Sequence, residues 1–338
     1  MAFGARTVEA VGLSESSVLV TGAYGLLGSW LVKSLLDAGA RVTVVHRDEP
    51  PTAALRLMGL ESEVNVVRGD ICEQGLISRA LAEYEIDSTF HLAAQTIVPT
   101  ANRGPLSTFE TNIRGTWLLL EACRVHGVER VIVASSDKAY GAHRQLPYRE
   151  DYALQPRYPY DVSKAAADLL ARSYWHTWQL PVAVTRFANL YGGGDTNGSR
   201  LVPETVAAAL AGRAPVVRSD GSPMRDFLYV EDAVDAYLAI WEALGRGAAR
   251  GEAYNAGSGG AHRVLDVVEL ICLLAGTDVE PDVRGEGTPS GEIDRQWVDY
   301  EKLNELTGWK PSFTLEEGLG RTIDWYRSFP RALRLQDA

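Results

Sequence analysis

The chain has 338 residues, with 33 Lys+Arg against 44 Asp+Glu for a formal charge of −11, and 46% of its residues are hydrophobic. That balance belongs to soluble globular proteins and supplies apolar material for one large or two smaller domains. The acidity argues against a nucleic-acid-backbone binder, and no run approaches the ~20 apolar residues of a membrane span. The N-terminal stretch MAFGARTVEAVGLSESS lacks the basic start and apolar run of a signal peptide. Cys72, Cys123 and Cys272 lie far apart without CxxC spacing. They suit buried thiols in a reducing cytoplasm better than a disulfide framework or a zinc site, so no metal is expected.

The first half alternates strand and helix signals. Ser17 to Thr21 (SVLVT) is an apolar strand ending in a glycine-rich turn, and Leu26 to Leu36 has helical apolar spacing closed by Gly39. Strands follow at Arg41–Val45, Val64–Val67 and Ser88–Leu92, with a helical stretch at Leu76–Tyr84. One long helix is expected from about Pro105 to His126, with Pro at its start and Gly127 after its end. Arg130–Ala134 reads as a fifth strand, Tyr158–Trp178 as a helix and Val182–Phe187 as a sixth strand. Strands this apolar are buried on both faces, as in a parallel sheet covered by helices. The β-α order predicts a doubly wound α/β domain of the Rossmann type.

After Tyr191 the rhythm changes. GGGDTNGS is a loop by composition, and helical stretches near Pro203–Leu210, Asp232–Leu244 and Leu265–Leu274 are separated by short strands and turns. The division expected is residues 1–190 for a dinucleotide-binding domain and 191–338 for a smaller mixed α/β substrate domain, with segments returning to the main sheet. The tail after Phe329 carries no clear pattern.

Three segments carry chemistry. Gly22, Gly25 and Gly28 stand at GxxGxxG spacing between the first strand and its helix. Glycine there lets the backbone approach a pyrophosphate, and the helix N-terminus favours the anion. Turns and tight packing also select glycine, so the placement after the first strand is what raises the cofactor reading. The second strand ends in Arg47-Asp48, where an acid suits ribose hydroxyls and an arginine suits a 2′-phosphate. We favour NAD through Asp48, with NADP through Arg47 as the alternative. Asp70, after the third strand, reads equally as an adenine contact or a helix cap.

Tyr160 and Lys164 lie four residues apart, on one face of a helix. A phenol titrates near ~10, and a neighbouring ammonium lowers that value, so the pair suits removal of a hydroxyl proton while hydride leaves the same carbon. A lone YxxxK is common; the order of glycine turn, β/α units, Ser-rich strand end and YxxxK gives it weight. That strand end is Ser135-Ser136-Asp137-Lys138, where Ser136 is the candidate to hydrogen-bond a sugar oxygen and Ser135 a neighbour with a structural role. Asp137 and Lys138 are an adjacent acid and base, which elsewhere are usually a solvated pair.

The segments TGAYGLLGSWL, HLAAQT, ETNIRGT, SSDKAYG, YPYDVSK, RFANLYG and RDFLYVEDAVDA resemble, in order and over nearly the whole chain, the extended short-chain dehydrogenase/reductase family of nucleotide-sugar epimerases and dehydratases. Within it, GSWL and SDK are most similar to the CDP-glucose 4,6-dehydratase type. The resemblance implies catalytic roles for Ser136, Tyr160 and Lys164, and gives Asp137 and Lys138 the dehydratases' extra acid and base positions. The dTDP type has Glu where this chain has Lys138. Cofactor contacts are implied at Tyr24, Leu26, Leu27, Ile71, Leu92, Ala93 and Ala94 beside the glycines, Arg47, Asp48 and Asp70, and at Tyr160 and Lys164. Sugar-nucleotide contacts are implied at Thr96, Ser136, Asn189, Arg225 and Arg295, with the arginines suited to a diphosphate. His91 packs at a strand end and is not a base. The family also implies a homodimer through the two long helices.

The implied reaction turns a nucleotide hexose into its 4-keto-6-deoxy form by internal hydride transfer, and Lys138 acts as base only if neutral. A 4-epimerase uses the same Tyr160, Lys164 and hydroxyl without the extra acid and base. A nucleotide-sugar decarboxylase needs a cation for a carboxylate, and a non-catalytic NAD(P)-binding regulator has no use for the Tyr160/Lys164 pair.

Overall fold

Seven strands form one parallel sheet in a computed structural model that describes residues 12–48, 52–287 and 293–336. Residues 1–11, most of the stretch read above for a leader, lie outside the described residues. From one edge the order is Ala253–Ala256, β6 (Val182–Phe187), β5 (Arg130–Ala134), β4 (Ser88–His91), β1 (Ser17–Thr21), β2 (Arg41–His46) and β3 (Asn65–Arg68). The chain moves outward from β1 to β3, then restarts on the other side of β1 with β4. Thr21 pairs with both Val45 and His91, so a crevice opens at the carboxyl ends where the order reverses.

Strand residues alternate between two apolar cores. Val18 and Val20 join a core with Trp30, Phe90, Ile132, Ala183, Tyr237 and Trp241. Leu19, Val131, Val133, Val182 and Val184 join a second core with Leu81, Leu119 and Leu120. Burial on both faces is why these strands read as continuous apolar runs. Helices Leu26–Asp37 and Val230–Gly245 pack together over the first face, and Leu76–Glu83, Gly115–His126 and Pro159–Trp178 follow one another over the second.

The helix expected over Pro105–His126 is interrupted. Leu106–Phe109 leads into a π turn at Glu110–Arg114, and the α-helix resumes over Gly115–His126. The wider turn sends the Asn112 carboxamide inward. Its Oδ1 accepts from Gln95 N–H at 2.7 Å, and its Nδ2 donates to Gln95 O at 3.0 Å and Ser163 Oγ at 2.9 Å. Gly115 closes the bulge, where an added Cβ would fall 2.5 Å from Ile71 Cδ1.

Beyond β6, the short strands Asn189–Tyr191 and Phe227–Tyr229 pair in parallel. Met224–Arg225 lies between His262–Arg263 and Arg295–Gln296. Helix Leu201–Leu210 packs on Val264–Ala275, which packs on Leu315–Ser328. The tail left unassigned forms a 3-10 stretch over Pro330–Gln336.

A buried polar network ties these parts together. Arg186 on β6 donates from Nε and Nη2 to both oxygens of Asp168, at 2.7 and 3.0 Å, with both side chains almost wholly out of water. Its Nη1 reaches Tyr140 Oη at 3.1 Å, and the Tyr140 hydroxyl donates to Asn255 Oδ1 at 2.7 Å. The turn Asp137–Tyr140 is thereby fixed to the helix, the sheet and its edge strand. Removing one partner of a buried pair leaves the other charge uncompensated, so Asp168→Asn is expected to cost about 3–5 kcal/mol of unfolding free energy. Denaturant titration checks this: Asp168→Leu with Arg186→Met should recover much of the loss, and an unchanged single variant would contradict it.

Candidate active site

The glycines of the first turn have geometric reasons of their own. Gly22 has φ +76°, and an added Cβ would lie 2.7 Å from Ala93 N, so β1 and the loop after β4 meet there backbone to backbone. A Cβ on Gly28 would fall 2.2 Å from Gly22 O, so the first helical turn sits directly on the glycine loop. Gly25 opens helix Leu26–Asp37 without any side-chain cap. The amides of that helix start are left for an anion.

At the ends of β2 and β3, Arg47 donates from Nε and Nη2 to Asp48 Oδ2 at 2.8 and 2.6 Å, and from Nη1 to Asp70 Oδ2 at 3.3 Å. Asp70 Oδ1 also accepts from Cys72 N–H at 2.8 Å, so it is a turn cap and a partner of Arg47 at once. Tyr24 stacks on His46 with ring centroids 4.1 Å apart, and its hydroxyl donates to Glu61. Ile71 is buried, and Leu92, Ala93 and Ala94 form the half-buried loop after β4. Among the described residues no group of three or more His, Cys, Asp or Glu could hold a metal ion.

The second cluster lies at the end of β5 and the start of helix Pro159–Trp178. Ser135 donates to Lys164 O at 3.1 Å and is structural. Ser136 caps the turn Asp137–Tyr140, accepting from Lys138 N–H at 3.2 Å and donating to Asp137 Oδ1 at 3.1 Å. Asp137 is 2% exposed, and its Oδ2 has no hydrogen-bond partner among the described residues. Burial pushes its pKa up to about 6, against the pull of Lys138, Ser136 and Arg225.

Tyr160 and Lys164 share a helix face, but their electrostatics differ from the sequence expectation. Lys164 Nζ donates to Ala134 O at 2.8 Å, and burial lowers its pKa to about 8. Burial raises the Tyr160 phenol to about 12; the opposing influences are Arg200 and the Ser136 hydroxyl, while Asp137 and Asp161 add to the rise. Desolvation therefore outweighs any help from Lys164 in the chain by itself.

Arg200 was not singled out by the sequence, because it ends a loop of small and polar residues. It donates to Thr96 Oγ1 at 3.0 Å and to Asp195 Oδ2 at 3.0 Å, linking the loop after β4 to the one after Tyr191. Asn112 and Asp161 were also missed. A polar residue mid-helix was the available signal for Asn112; Asp161 read as an ordinary first-turn acid.

The expected sugar-nucleotide residues lie on several elements, of which the strands of Arg225 and Arg295 pair directly. Asn189 Nδ2 donates to Asp226 O at 3.1 Å. Arg225 is buried, its Nη1 donating to Met224 O at 3.0 Å and Asp294 O at 2.9 Å, and it is close enough to Asp137 to favour its ionised form. Arg295, on the adjacent strand, is exposed and lies 5.2 Å over the Trp297 ring.

A GDP-mannose 4,6 dehydratase family model matches residues 19–322. The dTDP-glucose 4,6-dehydratase of Xanthomonas campestris is 32% identical over 328 residues, covering 91% of this chain and 92% of that protein. The dTDP-glucose 4,6-dehydratase 1 of Escherichia coli is 34% identical over 340 residues, covering 92% of each. Among solved structures, UDP-glucose 4-epimerase of Thermotoga maritima superposes with TM-score 0.86 at 30% identity, covering 93% of this chain and 99% of that one. The dTDP-glucose 4,6-dehydratase of Streptomyces venezuelae, solved with NAD, gives 0.82 at 30% identity over 92% and 97%.

His91 bridges Thr21 Oγ1 at 2.8 Å and Thr116 Oγ1 at 2.9 Å, and burial with Lys164 nearby lowers its pKa from 6.5 to about 3. A depressed value means the neutral ring contributes stability that is present above pH 6.5 and lost as pH falls towards 3. NMR titration of the folded chain should find His91 neutral down to about pH 4. A midpoint at its ordinary value would contradict this.

Proposed function

The chain belongs to the GDP-mannose 4,6-dehydratase family, and from that premise we propose that it is a nucleotide-hexose 4,6-dehydratase of the CDP-glucose type. The observation that carries this reading is Asp137: a carboxyl 2% exposed, with one oxygen unpartnered among the described residues and a pKa raised to about 6, next to the catalytic tyrosine. Such a group exchanges its proton close to neutral pH, far above an ordinary carboxyl, and in its protonated form can give that proton to a leaving hydroxyl. A 4-epimerase has no step that uses it, although the likeness to epimerase structures keeps that reaction as the second reading.

The residues fit a dinucleotide. No side chain caps the start of helix Leu26–Asp37, and Gly22 brings the loop Leu92–Ala94 beside the glycine turn. Arg47 already lies between Asp48 and Asp70, so a 2′-phosphate would meet two carboxylates there, which favours NAD. Bound NAD would supply the acceptor for the C4 hydride and the donor for C6. Ser136 holds the sugar O4 while Tyr160 takes its proton, with Arg200 favouring the phenolate. Lys164 adds positive charge below, since a pKa of about 8 leaves it mostly protonated at neutral pH. Asp137 then protonates the 6-hydroxyl as C5 loses its proton. Arg225 favours the carboxylate left on Asp137. Lys138, where the dTDP type carries Glu, supports the CDP-type reading.

We also propose a homodimer. Leu106 before the π turn, Trp117 and Val125 on Gly115–His126, and Leu169 and Trp178 on Pro159–Trp178 are large apolar side chains left exposed. Light scattering should give twice the mass of one chain, and Leu169→Glu should shift it towards the monomer; a monomeric parent chain would contradict this.

Incubation with CDP-, dTDP- and UDP-glucose should yield a product lighter by one water, fastest from the CDP sugar, read by mass spectrometry and NMR. Asp137→Asn should retain C4 oxidation and lose at least ~100-fold in product formation. Wild-type-like product from that variant, or C4 epimers alone from the parent chain, would overturn the assignment.

A further inference from the structure

Asn189, Arg225 and Arg295 come from segments far apart along the chain, and one carboxylate joins those segments. Asp226 follows Arg225 directly and is 0% exposed. Its backbone carbonyl accepts from Asn189 N–H at 3.2 Å and from Asn189 Nδ2 at 3.1 Å. Its backbone N–H donates to Gln296 O at 3.1 Å, next to Arg295. On its side chain, Oδ1 accepts from Ser258 N–H at 2.8 Å and from Ser258 Oγ at 2.7 Å, and Val298 N–H approaches Oδ2 at 3.5 Å. A Cβ on Gly257 would lie 2.1 Å from Oδ2, so a glycine before Ser258 is what lets the carboxylate reach the loop after strand Ala253–Ala256.

The junction is also tied to the catalytic turn. The carbonyl of Trp297, one residue beyond Gln296, accepts from Tyr148 N–H at 2.9 Å. The Tyr148 hydroxyl donates to Gly141 O at 2.8 Å, where the turn Asp137–Tyr140 ends. Strand pairing sets Gln296 opposite Arg225, so both side chains stand on one face of the small sheet. The Gln296 carboxamide is 0% exposed, and neither of its polar atoms has a partner among the described residues. Buried carboxamides are almost always hydrogen-bonded, so the face shared with Arg225 has hydrogen bonds left to give to a ligand.

A carboxylate buried among neutral donors destabilises a fold unless every contact is well made, so a staple for stability alone is an expensive use of Asp226. A guanidinium holds a diphosphate through directional charge-assisted hydrogen bonds, which weaken when the strand beneath it shifts by about 1 Å. We propose that Asp226 is the positioning residue of the sugar-nucleotide site: anchored on Ser258, it fixes the strand of Arg225 against those of Asn189 and Arg295 and so sets the affinity for the nucleoside diphosphate part of the substrate. It takes no part in the chemistry. This deepens the nucleotide-hexose reading and rests on it.

The test uses the full chain loaded with NAD, with CDP, dTDP and UDP as probes in calorimetry and the matching glucose nucleotides as substrates. Asp226→Ala should weaken binding of the diphosphate that the parent chain prefers by at least ~10-fold. KM for its sugar nucleotide should rise by the same factor, with kcat within about threefold and NAD content unchanged. Gly257→Ala, which drives a methyl group into Oδ2, should weaken both in the same way although Asp226 is still present. Asp226→Asn, whose side-chain oxygen can still accept from Ser258, should fall between the parent and Asp226→Ala. It carries the test, with Ser258→Ala, if Asp226→Ala does not fold. Parental affinity and KM with a lowered unfolding temperature would make the carboxylate a staple only and overturn the proposal. A fall in kcat at unchanged KM would also overturn it, as would a parent chain that binds none of the three diphosphates. If the parent chain only epimerises C4, the dehydratase reading falls, and the diphosphate affinities still decide this proposal.

Discussion

Lys164 holds its ammonium on the carbonyl of Ala134, out of water, and the same loss of water acts on Tyr160 and Asp161 of its own helix and on Asp137 in the turn after β5. Desolvation is the largest influence on every one of them. It moves the two carboxyls to about 6 and the lysine to about 8, so that groups far apart in water approach one another in proton affinity. Proton transfer between such groups has little cost near neutral pH. The phenol moves the other way, to about 12, and so depends on the cations around it, of which Arg200 is the one already contributing.

That degree of burial requires a frame that does not yield. The sheet supplies it by packing a separate core on each face, with neighbouring residues of one strand divided between them. Arg186, Asp168, Tyr140 and Asn255 then lock the turn carrying Asp137 and Lys138 to β6, to the helix of Tyr160 and to the edge strand. On the opposite side, Asn112 fixes the Gln95 loop to Ser163, whose hydroxyl donates to Tyr160 O at 2.7 Å. The helix of Tyr160 and Lys164 is therefore held from both flanks by buried polar side chains.

Much of this was legible along the chain. β1, β5 and β6 have the bounds their apolar runs indicate, because burial on both faces leaves no polar alternation to blur them. The glycine turn was readable from its place between strand and helix; Gly28 is forced by the nearby Gly22 carbonyl, whereas Gly22 is forced by the backbone of Ala93, far along the chain. The π turn was not, since one extra residue in a helical turn leaves the surrounding apolar spacing almost unchanged. Arg200 and Thr96 stand 104 positions apart, and no local pattern announces their contact. Tyr160 illustrates the deeper limit: spacing correctly put Lys164 on its helix face, but the balance between burial and charge is a property of the folded neighbourhood. The same holds for Asp161, which burial in the folded chain raises to about 6.

Internal return of hydride is the claim on which the catalytic roles converge, and the fate of the C4 hydrogen reports on it directly. A nucleotide hexose carrying deuterium at C4 should give a 4-keto-6-deoxy product with that deuterium on C6, seen by NMR, with none lost to solvent. Deuterium found again at C4 of an epimerised sugar, or a C6 methyl group free of label, would contradict it.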